Sequence, residues 1–157
     1  MATITATLAP AHGSSSRGRQ AYMVEQTIDL TANSIAPGDV VQALTVPANT
    51  KIITAGIQVT ASATQNTGTD ATATLGTAVD ADEYVAAFDI DGAADGAYAP
   101  SATVAGDIVI TSADTLDVTL AGSGASFSAG TLRVYAVMMD VSALGEMTAD
   151  EVSRDNA

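Results

Sequence analysis

The stretch that most constrains this chain is residues 131–141, TLRVYAVMMDV, its longest apolar run. Side chains alternate along an extended strand, so Leu132, Val134, Ala136 and Met138 share one face, and Arg133, Tyr135, Val137, Met139 and Val141 share the other. Both faces are largely apolar. An edge strand of a small domain usually keeps one polar face, so this strand is expected in the middle of a sheet. Its second face should be covered, by another layer of the chain or by a neighbouring copy.

With 157 residues, the chain has room for one domain and one core. Aromatic residues are only 4% and Trp is absent, so the core must be built from Val, Ile, Leu and Ala, with Phe88 and a few Tyr as larger pieces. Such a core is thin, and association between subunits is one of the few ways to add to it. The absence of cysteine excludes disulfides, thiolate metal sites and Cys nucleophiles. The start, MATITATLAP, has neither a basic nor a strongly apolar segment, and no window approaches the roughly 20 apolar residues of a membrane span. A soluble protein without an export signal or a membrane partner is expected.

The net charge of −13 is unevenly spread. Residues 1–24 hold Arg17 and Arg19 and no acid, whereas the remainder holds three basic and 18 acidic residues. A body of that sign repels nucleic acid, so no DNA-binding or RNA-binding role is expected of it. It also keeps densely packed copies soluble. The basic arm is suited to a neighbour's carboxylates.

Residues 1–20 lack a core-forming pattern and read as an N-terminal arm, either a free tail or an extended segment that orders on a partner. From Tyr22 the pattern turns to period two: Tyr22, Val24, Ile28 and Leu30 oppose Glu25, Thr27 and Asp29. Pro37 and Gly38 turn the chain into a second strand over 40–46. Residues 51–61 read as a long strand with Ile53, Ala55, Ile57 and Val59 on one face, and Gly56 signals a bulge or a close neighbour. Further strands are expected over 71–77 and 84–90, the latter with Tyr84, Ala86, Phe88 and Ile90 on one face, then a long loop over 91–106. A hairpin of 107–112 with 115–120 should follow, turning Leu116, Val118 and Leu120 inward and Asp117 and Thr119 outward. Eight strands with Gly, Pro and Asp turns define an all-β chain, a two-sheet antiparallel sandwich of jelly-roll or other Greek-key type. The expected organisation is an arm over 1–20, a body over 21–142 and a tail over 143–157, where Thr148 to Glu151 fit a helix-capping box.

Candidate chemistry is sparse. Asp80, Asp82, Glu83, Asp89, Asp91 and Asp95 cluster in sequence, and Asp89, Asp91 and Asp95 are the metal candidates, because hard cations want several oxygen ligands close together. Gly92 and Ala93 break the calcium-loop register, however, and Asp with Gly is ordinary turn chemistry, so turns fit the stretch better. His12, the only histidine, lies in the arm without an orienting acid nearby, which makes it a poor catalytic base. No phosphate loop, zinc-protease or dinucleotide motif occurs, so no enzyme activity and no cofactor are expected.

The phrases VPANTKIITAGIQV at 46–59, ATATLGTAVDADEYVAAFDID at 71–91 and AGTLRVYAVMMDV at 129–141 resemble those of small virion structural proteins of tailed bacteriophages, often capsid decoration (cement) proteins. The resemblance covers about residues 46–141 and lies in general character, in Ala/Thr/Gly-rich strands, an acidic body and the lack of cysteine, with no invariant motif. It implies a sandwich subunit, trimeric or dimeric, that clamps the major capsid protein on the outside of the head and contributes no catalytic residue. Under that implication Thr3, Ile4, Leu8, His12, Arg17 and Arg19 form the capsid-contact arm, and Tyr135, Val137 and Met139 form a self-association face. A head-fibre or tail component, a surface adhesion module and a small hydrolase on a sandwich scaffold are the alternatives.

Overall fold

The structure is a computed structural model that describes residues 21–32, 35–100 and 109–141. Among these residues there are nine strands and no α-helix: β1 (Tyr22–Asp29), β2 (Val40–Val46), β3 (Thr50–Gln65), β4 (Thr72–Gly76), β5 (Val85–Asp89), β6 (Tyr98–Pro100), β7 (Val109–Ile110), β8 (Asp114–Ala121) and β9 (Phe127–Asp140). Their antiparallel pairs are nested about the β4–β5 turn: β4 with β5, β3 with β6 and β7, β2 with β8, and β1 with β9. Rolling this long hairpin brings β3 against β9 and β4 against β8. Two antiparallel sheets result, one in the order β1-β9-β3-β6 with β7 also on β3, the other β2-β8-β4-β5.

The long apolar run of residues 131–141 lies in β9, between β1 and β3, as expected of a strand with two apolar faces. Leu132, Val134, Ala136 and Met138 reach no solvent at all. They meet Ile52, Ala55, Ile57 and Val59 of β3 and face Leu75, Leu116, Val118 and Leu120 of the other sheet in one core. Each fully buried Val, Leu or Ile in such a core contributes about 1.5–3 kcal/mol of transfer free energy. The buried aromatics are Tyr84 and Phe127, while Phe88 is only half-buried.

Three expectations are corrected. A bulge in β3 between Ile52 and Thr54 shifts the alternation, so Ile52 is buried and Ile53 is 38% exposed. The 107–120 hairpin does not form: β7 pairs with β3 in one sheet and β8 joins β2 and β4 in the other, because the chain crosses between layers at 111–113. Asp117 has outward parity but is buried, since the turn at Asp80 and Ala81 folds directly over Gly76, its partner on β4. In addition, the loop over 91–106 contains β6, and a second register shift between β4 and β5 leaves Ala86 exposed. The capping box at 148–151 lies outside the described residues.

Candidate functional site

The outer face of the larger sheet brings together side chains that no core requires. Along β9, Arg133 lies opposite Thr27 and Gln58, Tyr135 opposite Glu25 and Gly56, Val137 opposite Met23 and Thr54, and Met139 opposite Lys51. The face divides into a polar end, an aromatic centre and an apolar end.

At the polar end Arg133 donates from Nη2 to Gln58 Oε1 at 2.5 Å, and its Nη1 lies 3.8 Å from Glu25 Oε2. Both charged side chains are nearly half exposed, so this pair contributes at most about 1 kcal/mol and serves mainly to orient the guanidinium. At the centre the rings of Tyr135 and Tyr98 stack with centroids 5.6 Å apart and planes 17° apart, and their hydroxyls are hydrogen-bonded to each other. Burial, and then the Tyr98 hydroxyl, hold the Tyr135 hydroxyl above its ordinary pKa. Gly56 makes the stack possible: a Cβ there would fall 2.7 Å from the Ala99 carbonyl oxygen and into the Tyr135 ring. The glycine singled out in the sequence thus answers to a close neighbour.

At the apolar end Met23 is 61% exposed, and Ile53 and Val109 are also exposed. Val137 and Met139 lie between them, half-buried. Ile53 reaches this face because the bulge sends both Ile53 and Thr54 outward between buried Ile52 and Ala55. Tyr98, half exposed, continues the strip on β6. Lys51 and Thr54 lie on the same face, beside Val109, Met139 and Val137, so the apolar side chains here form a candidate interaction face interrupted by polar ones. The three residues expected from sequence, Tyr135, Val137 and Met139, therefore share one face. Sequence reasoning missed Met23, Ile53, Tyr98 and Val109. Met23 was legible from its alternation in β1, whereas the bulge concealed Ile53, and Tyr98 and Val109 sat in segments assigned to other structure.

Asp89 and Asp91 meet side chain to side chain, but Asp95 does not join them. Asp89 Oδ1 accepts the Gly92 N–H at 2.7 Å, Asp91 Oδ2 the Ala71 N–H at 3.1 Å, and Asp95 Oδ1 the Ser62 N–H at 2.9 Å. Each carboxylate fastens a different loop. The Gly92 amide, and next the Asp91 side chain, hold the Asp89 carboxyl below its ordinary pKa. Among the described residues no three His, Cys, Asp or Glu side chains are grouped to hold a metal ion. An open hollow of about 430 Å³ between β2 and β8 is lined by Gln42, Thr45, Val46, Pro47, Ala113, Asp114 and Thr115. Asp114 is its one titratable group, which supplies no nucleophile–base pair. The arm residues Thr3, Ile4, Leu8, His12, Arg17 and Arg19 lie outside the described residues.

The class that emerges is an all-β, two-layer antiparallel sandwich with an apolar, solvent-facing strip and no gathered catalytic groups among the described residues. No protein-family model matches the chain, and no curated protein matches it in sequence. Its fold is similar to chains in solved phage capsids. A chain in the cyanophage Pam1 capsid asymmetric unit aligns with a TM-score of 0.62 and 19% identity, over 86% of this chain and 93% of that one. A chain in the capsid of Ralstonia phage GP4 aligns at 0.59 and 18%, over 88% and 93%. One in the acidic stable capsid structure of Helicobacter pylori bacteriophage KHP30 aligns at 0.51 and 14%, over 74% and 86%.

Proposed function

We propose that this chain is a virion structural protein of a tailed bacteriophage, and within that class a decoration (cement) subunit on the exterior of the head. One observation carries the reading. The matched chains are about as long as this one and are covered over 86% to 93% of their length, so a separate small chain of this fold occurs in each of those capsid structures. The strand orders β1-β9-β3-β6 and β2-β8-β4-β5 support a jelly-roll reading of the sandwich, an architecture that viral capsid domains use.

Charge supports the outer placement, since a net −13 subunit is repelled by packaged DNA and tolerated on the outside. The apolar strip around Val137 joins copies into a trimer or dimer, which supplements the thin core of each. The arm extends each subunit's reach beyond its own body, with Arg17 and Arg19 against carboxylates of the major capsid protein. The role is a mechanical clamp that needs neither cofactor nor catalysis. Heating filled heads with and without the bound protein tests it: decorated heads should release DNA at a higher temperature, and equal release temperatures would sink the clamp role.

A further inference from the structure

Among the described residues, β1 forms the one long edge of the sandwich that nothing in its own backbone guards. It pairs with β9 over all eight residues without a bulge, and among the described residues no strand pairs with its other side. The remaining edges are blunted. β2 is bulged between Gln42 and Leu44 and is followed by Pro47, β5 has five residues and a register shift, and β6 and β7 are three and two residues long. Natural sheets protect their edges by such devices, so a long regular edge left open is a surface for strand addition.

The phase of this edge is fixed. Leu30 donates its N–H to the Gly130 carbonyl at 3.0 Å, so the even-numbered residues of β1 turn their backbone groups toward β9. Met23, Glu25, Thr27 and Asp29 therefore turn theirs outward. The Gln26 side-chain amide donates to the outward Thr27 carbonyl at 3.3 Å, partly standing in for a missing strand. Beside it, half-buried Val24 and Val41 line the opening where β1 and β2 approach each other.

We propose that residues 3–8 of a second copy add to this edge as a further strand. TITATL alternates, so Ile4, Ala6 and Leu8 would cover Val24 and Val41 while Thr3, Thr5 and Thr7 continue the outer face past Thr27. A tight hairpin closing just before Tyr22 would set residues 12–19, HGSSSRGR, against β1 and carry 3–8 past its end, which leaves 3–8 to meet this edge from a second copy. Residues 9–20 extend up to about 40 Å, enough to cross to a neighbouring body. The inference rests on residues 1–20 being an arm that leaves its own body, and it concerns contacts between copies without the shell.

Amide hydrogen exchange on the full chain tests it. In the wild type the outward amides of Glu25 and Thr27 should exchange at least roughly tenfold more slowly than in Ala6→Pro/Thr7→Pro, where adjacent prolines leave no phase in which the arm can pair. Adding unlabelled Thr27→Pro chain, whose edge is blocked but whose arm is intact, to labelled Ala6→Pro/Thr7→Pro chain should restore that protection. Unlabelled wild type serves the same purpose if Thr27→Pro does not fold. Equal exchange in wild type and arm variant, or protection that the added chain does not restore, would overturn the proposal. Because the experiment contains no shells, a failure of shell binding leaves its result untouched.

Discussion

Gly56 has no side chain because the Tyr135 ring and the Ala99 carbonyl occupy the space a Cβ would need. Gly56→Ala is therefore expected to cost about 1–3 kcal/mol, as overpacking does, seen as a lower urea midpoint at unchanged slope. An unchanged midpoint would mean that the Tyr98–Tyr135 stack is not seated on β3. Tyr84 presents the opposite case. Its hydroxyl is buried with no hydrogen-bond partner among the described residues, and burial, followed by the Glu83 and Asp114 charges, pushes its pKa up to about 12. Replacing a buried unpaired hydroxyl by hydrogen is neutral or favourable, so Tyr84→Phe should hold or raise stability by up to about 1 kcal/mol. A loss larger than that would show that the hydroxyl has a partner.

Between elements, Asp70 is a latch. Its Oδ1 accepts the Ser123 N–H at 2.9 Å, the Ser123 hydroxyl at 2.8 Å and the Gln65 side-chain amide at 3.3 Å, while Gln65 Oε1 accepts the Gly124 N–H at 2.6 Å. The turn after β3 is thereby tied to the turn between β8 and β9. The Ser123 amide and then its hydroxyl lower the Asp70 pKa. A carboxyl lowered on folding stabilises above its unfolded pKa, about 3.9, and loses that contribution as pH falls through the folded value. The Tm difference between wild type and Asp70→Asn should thus be steady from about pH 7 to 5 and shrink toward pH 2. A constant difference would mean that the latch does not depend on charge. These ties join residues 53 positions apart, and alternation gives no sign of them. The bounds of β2 and the central place of β9 were legible, because Pro37-Gly38 and Pro47 punctuate the one and apolar residues line both faces of the other. Alternation failed at Ile53 and Ala86, where a bulge inverts parity, and at Asp117, where a distant turn covers an outward position. The same limit applies to the candidate face: Tyr135, Val137 and Met139 were visible in one strand, but their neighbours come from four others.

For the whole molecule, the proposed role is that of one of several copies of an acidic, thin-cored sandwich on a phage head. The apolar strip predicts its own disruption. Val137→Asp places a charge among Met23, Ile53 and Met139 while Leu132, Val134, Ala136 and Met138 keep the core intact, so it should yield a folded species of lower mass by light scattering, with a Tm below that of the associated wild type because the contribution of association is lost. An oligomer of unchanged mass would move the seam to another surface. The proposed role is tested by the mass of the purified wild-type protein in solution, alone and after sedimentation with undecorated phage heads. An assembly of two or three copies that pellets with the heads is expected. A stable monomer that stays in the supernatant would overturn the role.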